Sequence, residues 1–125
     1  MLYGNIDYPH MAPASMTDII KTIESSNLSP LAKQVYLLLL TIPKGKVTTY
    51  KVLGDALGTK GYRAVGRILG QNPYIPLVPC HRVVASDGRL HGYAGGVEKK
   101  QSILLAEGVW VKNGRVLDEY MLQSL

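Results

Sequence analysis

The chain of 125 residues contains one cysteine, Cys80, and three histidines. One cysteine cannot form an internal disulfide bond, so we expect a free thiol in a reducing compartment. One cysteine and three scattered histidines are a poor set of zinc ligands, and we predict neither a metal nor a cofactor. The longest apolar run, residues 35–40, is too short to cross a bilayer, and no signal peptide is evident. These absences favour a globular intracellular protein that does not contact membranes.

Positive charge is concentrated in one segment. The formal net charge is +5, and residues 44–67 contain six lysines or arginines but only one acidic residue. The segments on either side nearly cancel in charge. A localised basic segment favours a polyanionic partner, with nucleic acid first, although a solvated lysine-rich surface gives the same pattern.

Apolar spacing and turn residues predict a single domain that is mainly α with small β elements. We predict helices over residues 16–26, 30–42, 50–57, 62–69 and 97–107, with Ser29 and Thr49 as caps. Residues 109–117 predict a β-hairpin around Asn113-Gly114, and the turn at Asn72-Pro73 predicts an extended segment that runs through Cys80 to Val84. The two short helices predict a helix-turn-helix that coincides with the basic segment, which favours DNA binding.

The reactive group that the sequence offers is the thiol of Cys80, followed directly by His81. A thiol with a reference pKa of about 8.5 is only a few per cent thiolate at pH 7, so a reactive cysteine needs a proton acceptor nearby. An imidazole can accept that proton near neutral pH. The alternative is that Cys80 is a small buried apolar residue, which is the commoner role of a lone cysteine in an apolar run.

Five motifs in order resemble the C-terminal, active-site domain of the O6-alkylguanine-DNA alkyltransferases. They are Pro-Cys-His-Arg-Val-Val from Pro79, Arg-Ala-Val-Gly from Arg63, Asn72-Pro73, Gly-Tyr-Ala-Gly-Gly from Gly92 and Leu-Leu-Ala-Glu-Gly from Leu104. The resemblance covers about residues 29–108 and implies a winged-helix-like helix-turn-helix fold. We therefore divide the chain into an N-terminal lead-in with a short helix (1–28), an active-site domain (29–117) and a C-terminal tail (118–125).

The resemblance implies that Cys80 takes an alkyl group from O6 of guanine in double-stranded DNA, once per molecule. His81 would accept the thiol proton through a water, Glu107 would orient the imidazole, Tyr50 would donate a hydrogen bond to the base, and Asn72 would brace the active-site turn. Glu107 as an exposed helix-end charge and Tyr50 as a packing residue remain alternatives.

The resemblance also implies a base pocket and a DNA-binding helix. The pocket residues are Leu69, Val83, Tyr93 and Ala94, with the Ala94 amide near O6. Arg63 would intercalate in place of the flipped nucleotide, and the other residues of the interface are Lys51, Lys60, Tyr62, Gly66 and Arg67. The partner is DNA that contains O6-alkylguanine, and we expect a monomer in the cytoplasm with the nucleoid, or in the nucleus of a eukaryote.

Three positions depart from the family pattern. Tyr62 stands where the family generally has a small residue, so it either points sideways onto a backbone or holds the helix less deeply in the groove. Ala94 replaces a common serine, and the region before Ser29 is too short for the N-terminal domain of many relatives. A non-catalytic protein that binds alkylated DNA on the same scaffold is the main alternative. A helix-turn-helix regulator with a structural cysteine is a third hypothesis, and a thiol hydrolase is a remote fourth.

Overall fold

The computed structural model describes residues 12–90, 93 and 95–125. Within these ranges the chain is mainly helical, which confirms the predicted fold class. The helices are α1 (Ala12–Glu24), α2 (Pro30–Leu39), α3 (Tyr50–Ala56), α4 (Tyr62–Gly70) and α5 (Val97–Ala106). The strands have two residues each: β1 (Thr48–Thr49), β2 (Val83–Val84), β3 (Val111–Lys112) and β4 (Arg115–Val116). Single 3₁₀ turns cover Cys80–Arg82 and Asp118–Tyr120.

Helix α2 begins where the capping signal predicts. The Ser29 hydroxyl accepts a hydrogen bond from the amide of Ala32, and Pro30 occupies the first helical position. The helix ends at Leu39, three residues before the predicted end at residue 42. Pro43 explains the difference, because proline disfavours helical geometry in the residue before it and the last turn tightens into i to i−3 hydrogen bonds.

The predicted extended segment through Cys80 is wrong. Residues 73–78 form turns, Cys80 begins a 3₁₀ turn, and only Val83–Val84 is a strand. Prolines at positions 73, 76 and 79 supply no N–H for a ladder, which excludes a long strand there. The short strand β2 pairs in parallel with β1, a strand that was not predicted.

The C-terminal hairpin matches its sequence signal. Strands β3 and β4 are antiparallel, and the turn residues Asn113 and Gly114 both have positive φ, at 54° and 76°. Asn-Gly is the preferred pair for such a turn. The chain then returns to Val47, the residue before β1, whose carbonyl accepts from the amide of Leu122 at 2.7 Å. Part of the predicted tail is therefore bridged to the residue that precedes β1.

Strand β2 separates two apolar clusters. Val83 belongs to a cluster built on helices α1 to α4, which also contains Cys80. Val84, the next residue, belongs to a second cluster with Leu104 of α5 and Val116 of β4. Successive strand residues point to opposite faces, so the two clusters meet at this strand. Among the helices that the structure describes, none is long and apolar enough to span a membrane.

Candidate active site

The turn that carries Cys80 is fixed by backbone and side-chain hydrogen bonds. The amide of Cys80 donates to the carbonyl of Val78 at 2.9 Å. The side chain of Asn72, which is buried, donates to that same carbonyl at 2.8 Å and accepts from the amide of Tyr74 at 2.8 Å. Asn72 therefore ties both ends of the loop that precedes the cysteine, at the position predicted for a bracing residue.

His81 and Glu107 are in direct contact although 26 residues separate them. Nε2 of His81 lies 3.0 Å from Oε2 of Glu107, which follows the last residue of α5. His81 is 2% exposed, and the Glu107 side chain is 11% exposed. The alternative of an exposed helix-end charge at position 107 therefore does not hold.

Arg82 holds the same carboxylate, and the sequence reasoning missed it. Its Nε donates to Oε1 of Glu107 at 3.0 Å and its Nη2 to Oε2 at 2.8 Å, while Nη1 donates to the carbonyl of Ile42 at 2.8 Å. Burial alone would raise the pKa of Glu107, but the hydrogen bonds and charges of His81 and Arg82 outweigh it and lower the pKa to about 2. Glu107 is therefore ionised at neutral pH.

The ionised carboxylate determines which nitrogen of His81 carries the proton. A carboxylate can only accept, so the neutral imidazole donates from Nε2 to Glu107. Nδ1 is then the basic nitrogen; it is buried and makes no hydrogen bond to any described residue. The turn of Cys80–Arg82 thus carries a thiol and, on the next residue, an imidazole with its lone pair on Nδ1.

A second cation that the sequence reasoning missed is buried close enough to influence the thiol. Lys100 of α5 is 1% exposed, and its ammonium donates to the carbonyl of Val83 at 2.7 Å. Burial raises the pKa of the Cys80 thiol, while a hydrogen bond with Asn72 and the charge of Lys100 oppose that rise. The available signal was the spacing of Lys100 four residues before the buried Leu104, on the same face of α5.

Tyr50 begins α3 directly after Thr49, whose hydroxyl accepts from the amide of Val52 at 3.0 Å. The Tyr50 side chain packs against the cluster that contains Cys80. Burial, and then the charge of Cys80, raise the pKa of the phenol, so it stays protonated and can donate. Tyr50 therefore combines packing with a position near the thiol.

The structure describes three of the four predicted pocket residues. Leu69 and Val83 are buried in the cluster around Cys80, and Tyr93 packs against it. Val83 is fully buried, its amide donates to the carbonyl of Cys80, and its own carbonyl accepts from Lys100, so neither its side chain nor its backbone is accessible in this structure. Ala94 lies outside the described residues, and the prediction for its amide stays a prediction.

Helices α3 and α4 form the predicted helix-turn-helix and carry the basic segment. Lys60, Arg63 and Arg67 are exposed, and Arg63 and Arg67 lie one turn apart on α4. A Cβ at Gly66 would meet nothing within 4 Å, so the fold itself does not require glycine there. A glycine on an exposed helix face permits close approach of another molecule.

Two residues of the predicted interface make contacts with other residues of the chain at its surface. Lys51 forms an ion pair with Asp55 at 2.8 Å. Tyr62 donates from its hydroxyl to the same carboxylate at 2.7 Å, and its ring lies against Gly54. Tyr62 therefore points toward α3 in this structure, and its orientation toward DNA stays a prediction.

Residues 30–109 match the family described as 6-O-methylguanine DNA methyltransferase, DNA binding domain. A protein of Pyrobaculum aerophilum named methylated-DNA--protein-cysteine methyltransferase is 48% identical over 86 residues, which are 69% of this chain and 57% of the relative. The Shigella flexneri protein of the same name is 38% identical over 109 residues, or 77% and 64% of the two chains. The chain thus spans between half and two thirds of these relatives.

Solved structures give the same result. Mycobacterium tuberculosis OGT, in complex with DNA, matches with a TM-score of 0.63 and 39% identity, over 65% of this chain and 51% of that one. S. pombe Atl1, in complex with damaged DNA containing O6-carboxymethylguanine, matches with a TM-score of 0.67 and 28% identity. That match covers 78% of this chain and 98% of Atl1.

Proposed function

We propose that this chain, which belongs to the 6-O-methylguanine DNA methyltransferase family, transfers the alkyl group of O6-alkylguanine in duplex DNA to the sulfur of Cys80. The observation that carries the proposal is the contact between His81 and Glu107 in the turn that bears the thiol. A nucleophile, a neighbouring base and an acidic group that orients the base are the parts that activate a weak nucleophile. All three residues lie in the segment that matches the family.

In the proposed reaction, His81 accepts the thiol proton on Nδ1 through a water molecule, and Glu107 stabilises the imidazolium that forms. The sulfur lone pair forms the S–C bond while the C–O6 bond breaks, and the bonding electrons move to O6 and the purine ring. Tyr50 donates a hydrogen bond to the purine as negative charge develops. The proton lost by the thiol balances the one that guanine gains.

The product on the protein is a thioether. Hydrolysis of a C–S bond needs an activation that Cys80, His81, Glu107 and Tyr50 do not offer, so each molecule reacts once. The protein is then consumed in proportion to the lesions it repairs.

Access to O6 requires that the nucleotide leaves the duplex, at a cost of a few kcal/mol. We propose that α4 enters the minor groove, that Arg63 fills the gap left by the base, and that Arg67 and Lys60 contact phosphates. Affinity should then depend steeply on salt and little on sequence. We expect the protein to act as a monomer where chromosomal DNA is, in the cytoplasm or in a nucleus.

The test is the intact mass of the protein after incubation with a duplex that contains O6-methylguanine. The expected gain is one methylene per molecule, located on Cys80 by peptide mapping and absent in Cys80→Ser. A duplex with unmodified guanine serves as the control. Folded protein that binds the modified duplex without a change in mass would contradict the proposal.

A second function is favoured by the likeness to Atl1, which this chain matches over 98% of that protein's length. In that case the chain binds alkylated DNA and marks the lesion without removing the alkyl group. Tight and selective binding of the modified duplex with an unreactive Cys80 thiol would support this alternative.

A further inference from the structure

We propose that Tyr62 is a positioning residue, which holds α4 against α3 and thereby sets the direction of Arg63, and that it does not itself contact DNA. The inference rests on the proposed function only in assigning Arg63 to the duplex. It concerns the residue at which this chain departs from the usual small side chain of the family.

The ring of Tyr62 occupies space that only glycine leaves open on α3. A Cβ built at Gly54 would lie 2.6 Å from both Cδ1 and Cε1 of Tyr62. It would also lie 3.2 Å from the carbonyl of Thr59, in the turn between the helices. Gly54 is buried in the middle of a helix, where glycine lowers stability relative to alanine. The contact with the tyrosine ring gives a reason for glycine at this position.

The hydroxyl of Tyr62 adds a directed contact to the same helix. It donates to Oδ1 of Asp55 at 2.7 Å, and Lys51 contacts Oδ2 of that carboxylate at 2.8 Å. This hydrogen bond is the main cause of the raised pKa of Tyr62. The hydrogen bond with Lys51, and then the one with Tyr62, lower the pKa of Asp55. Asp55 is the only acidic residue among residues 44–67, and both of its oxygens are engaged.

The N-cap of α4 is Gly61. The start of α4 lacks a side-chain cap among the described residues, although the amide of Gly61 donates to the hydroxyl of Thr59 at 2.9 Å. Tyr62 is the first helical residue, so its contacts with α3 replace a cap as the local attachment.

Helix geometry links this attachment to the proposed DNA-binding face. Successive residues are about 100° apart around an α-helix, so fixing Tyr62 toward α3 fixes the azimuth of Arg63. Gly66 and Arg67 follow Arg63 by three and four residues and share its face. A rotation of α4 that freed Tyr62 would turn all three away from their common direction.

The first test uses Gly54→Ala, which displaces the ring but alters neither Tyr62 nor Arg63. We expect weaker binding of duplex DNA by fluorescence anisotropy, and alkyl transfer from modified duplex slower by about tenfold to a hundredfold, as misplacement of a remote group can cause. Transfer from free O6-methylguanine should not change, since it needs no inserted helix. In the Tyr62→Ala background, Gly54→Ala should have a much smaller effect, because only the 3.2 Å contact of its Cβ with the carbonyl of Thr59 remains.

The second test is a double-mutant cycle of Tyr62→Ala and Arg63→Ala, with duplex affinity as the readout. If Tyr62 acts through Arg63, the two effects are not additive, and Tyr62→Ala weakens binding less in the Arg63→Ala background than in the unmodified protein. Fully additive losses would show that Tyr62 does not act through Arg63 and would overturn the inference. Duplex binding is measured without alkyl transfer. The cycle therefore tests the role of Tyr62 even if the protein transfers no alkyl group.

Variants that keep the aromatic ring of Tyr62 test the inference even if Tyr62→Ala does not fold. Tyr62→Phe removes only the hydroxyl, and Asp55→Asn retains an acceptor for it, so we expect the first to weaken duplex binding more than the second. Tyr120→Phe, in the C-terminal 3₁₀ turn, is the matched control and should bind as the unmodified protein does. Equal binding by Tyr62→Phe, Gly54→Ala and the unmodified protein would also overturn the inference.

Discussion

Replacing Glu107 by glutamine tests the electrostatic centre of the candidate site. The carboxylate receives two N–H groups from Arg82 and lies 3.0 Å from Nε2 of His81. The side chains of Glu107 and Arg82 are 11% and 16% exposed, so solvent screens these contacts little. Glutamine keeps the size of the side chain but leaves the guanidinium of Arg82 without a counter-charge.

Two estimates of the cost of Glu107→Gln agree. Leaving one member of a largely buried ion pair without its partner costs about 3–5 kcal/mol. The pKa of Glu107 is lowered from 4.5 to about 2, which corresponds to at most about 3 kcal/mol of stability at neutral pH. Because the pKa is lower in the folded state, this contribution is complete above pH 4.5 and is lost as the pH falls toward 2.

The free energy of unfolding from urea titrations, measured from neutral to acidic pH, checks both points. At pH 7 we expect Glu107→Gln to be less stable by about 3 kcal/mol, and we expect the gap to narrow below pH 4.5. Glu98→Gln, an exposed acid in the first turn of α5, is the control and should cost only a few tenths of a kcal/mol. A Glu107→Gln protein as stable as the unmodified one at pH 7, with the same pH dependence, would refute the reasoning.

Three other substitutions have outcomes that follow from single contacts. Burial lowers the pKa of Lys100 from 10.5 to about 8. Between these values the unfolded state binds more protons than the folded state, so the free energy of unfolding should rise from about pH 8 to about pH 10. Urea titrations of Lys100→Met should show a smaller rise. Gly88→Ala should lower the melting temperature, because Gly88 has φ of 87° and a Cβ would lie 2.8 Å from the carbonyl oxygen of Val116. Tyr36→Phe should cost about 1–3 kcal/mol by urea denaturation, since the Tyr36 hydroxyl donates to the carbonyl of Ile68 at 2.6 Å.

The parts of the fold that local chemistry determines could be predicted from the sequence. Ser29 and Thr49 cap their helices, and Asn113-Gly114 forms its turn, because each signal acts within a few residues. The parallel pairing of β1 with β2 could not be predicted, because two-residue strands have no periodicity. The extended segment was predicted wrongly, since apolar content was weighed above the prolines that interrupt it.

The candidate site also contains residues that could be predicted from the sequence and residues that could not. Cys80 and His81 are adjacent in sequence, and Glu107 was placed beside them only by resemblance to a family. Arg82 is part of the Pro-Cys-His-Arg-Val-Val motif, but the motif does not show what its side chain contacts. Its two hydrogen bonds to Glu107 form because the end of α5 packs against the turn of Cys80, and tertiary structure alone determines that contact. Lys100 was missed for a related reason, because lysine in a helix is usually solvated and here it is buried.

The two-residue ladder between β1 and β2 connects the two halves of the proposed machinery. Thr49 ends β1 and caps α3, while Val83 begins β2 immediately after the turn of Cys80–Arg82. The proposed DNA-binding helices and the thiol are thus attached to adjacent, hydrogen-bonded strands. In the proposed reaction the nucleotide is the part that moves, because it has to leave the duplex to reach the sulfur.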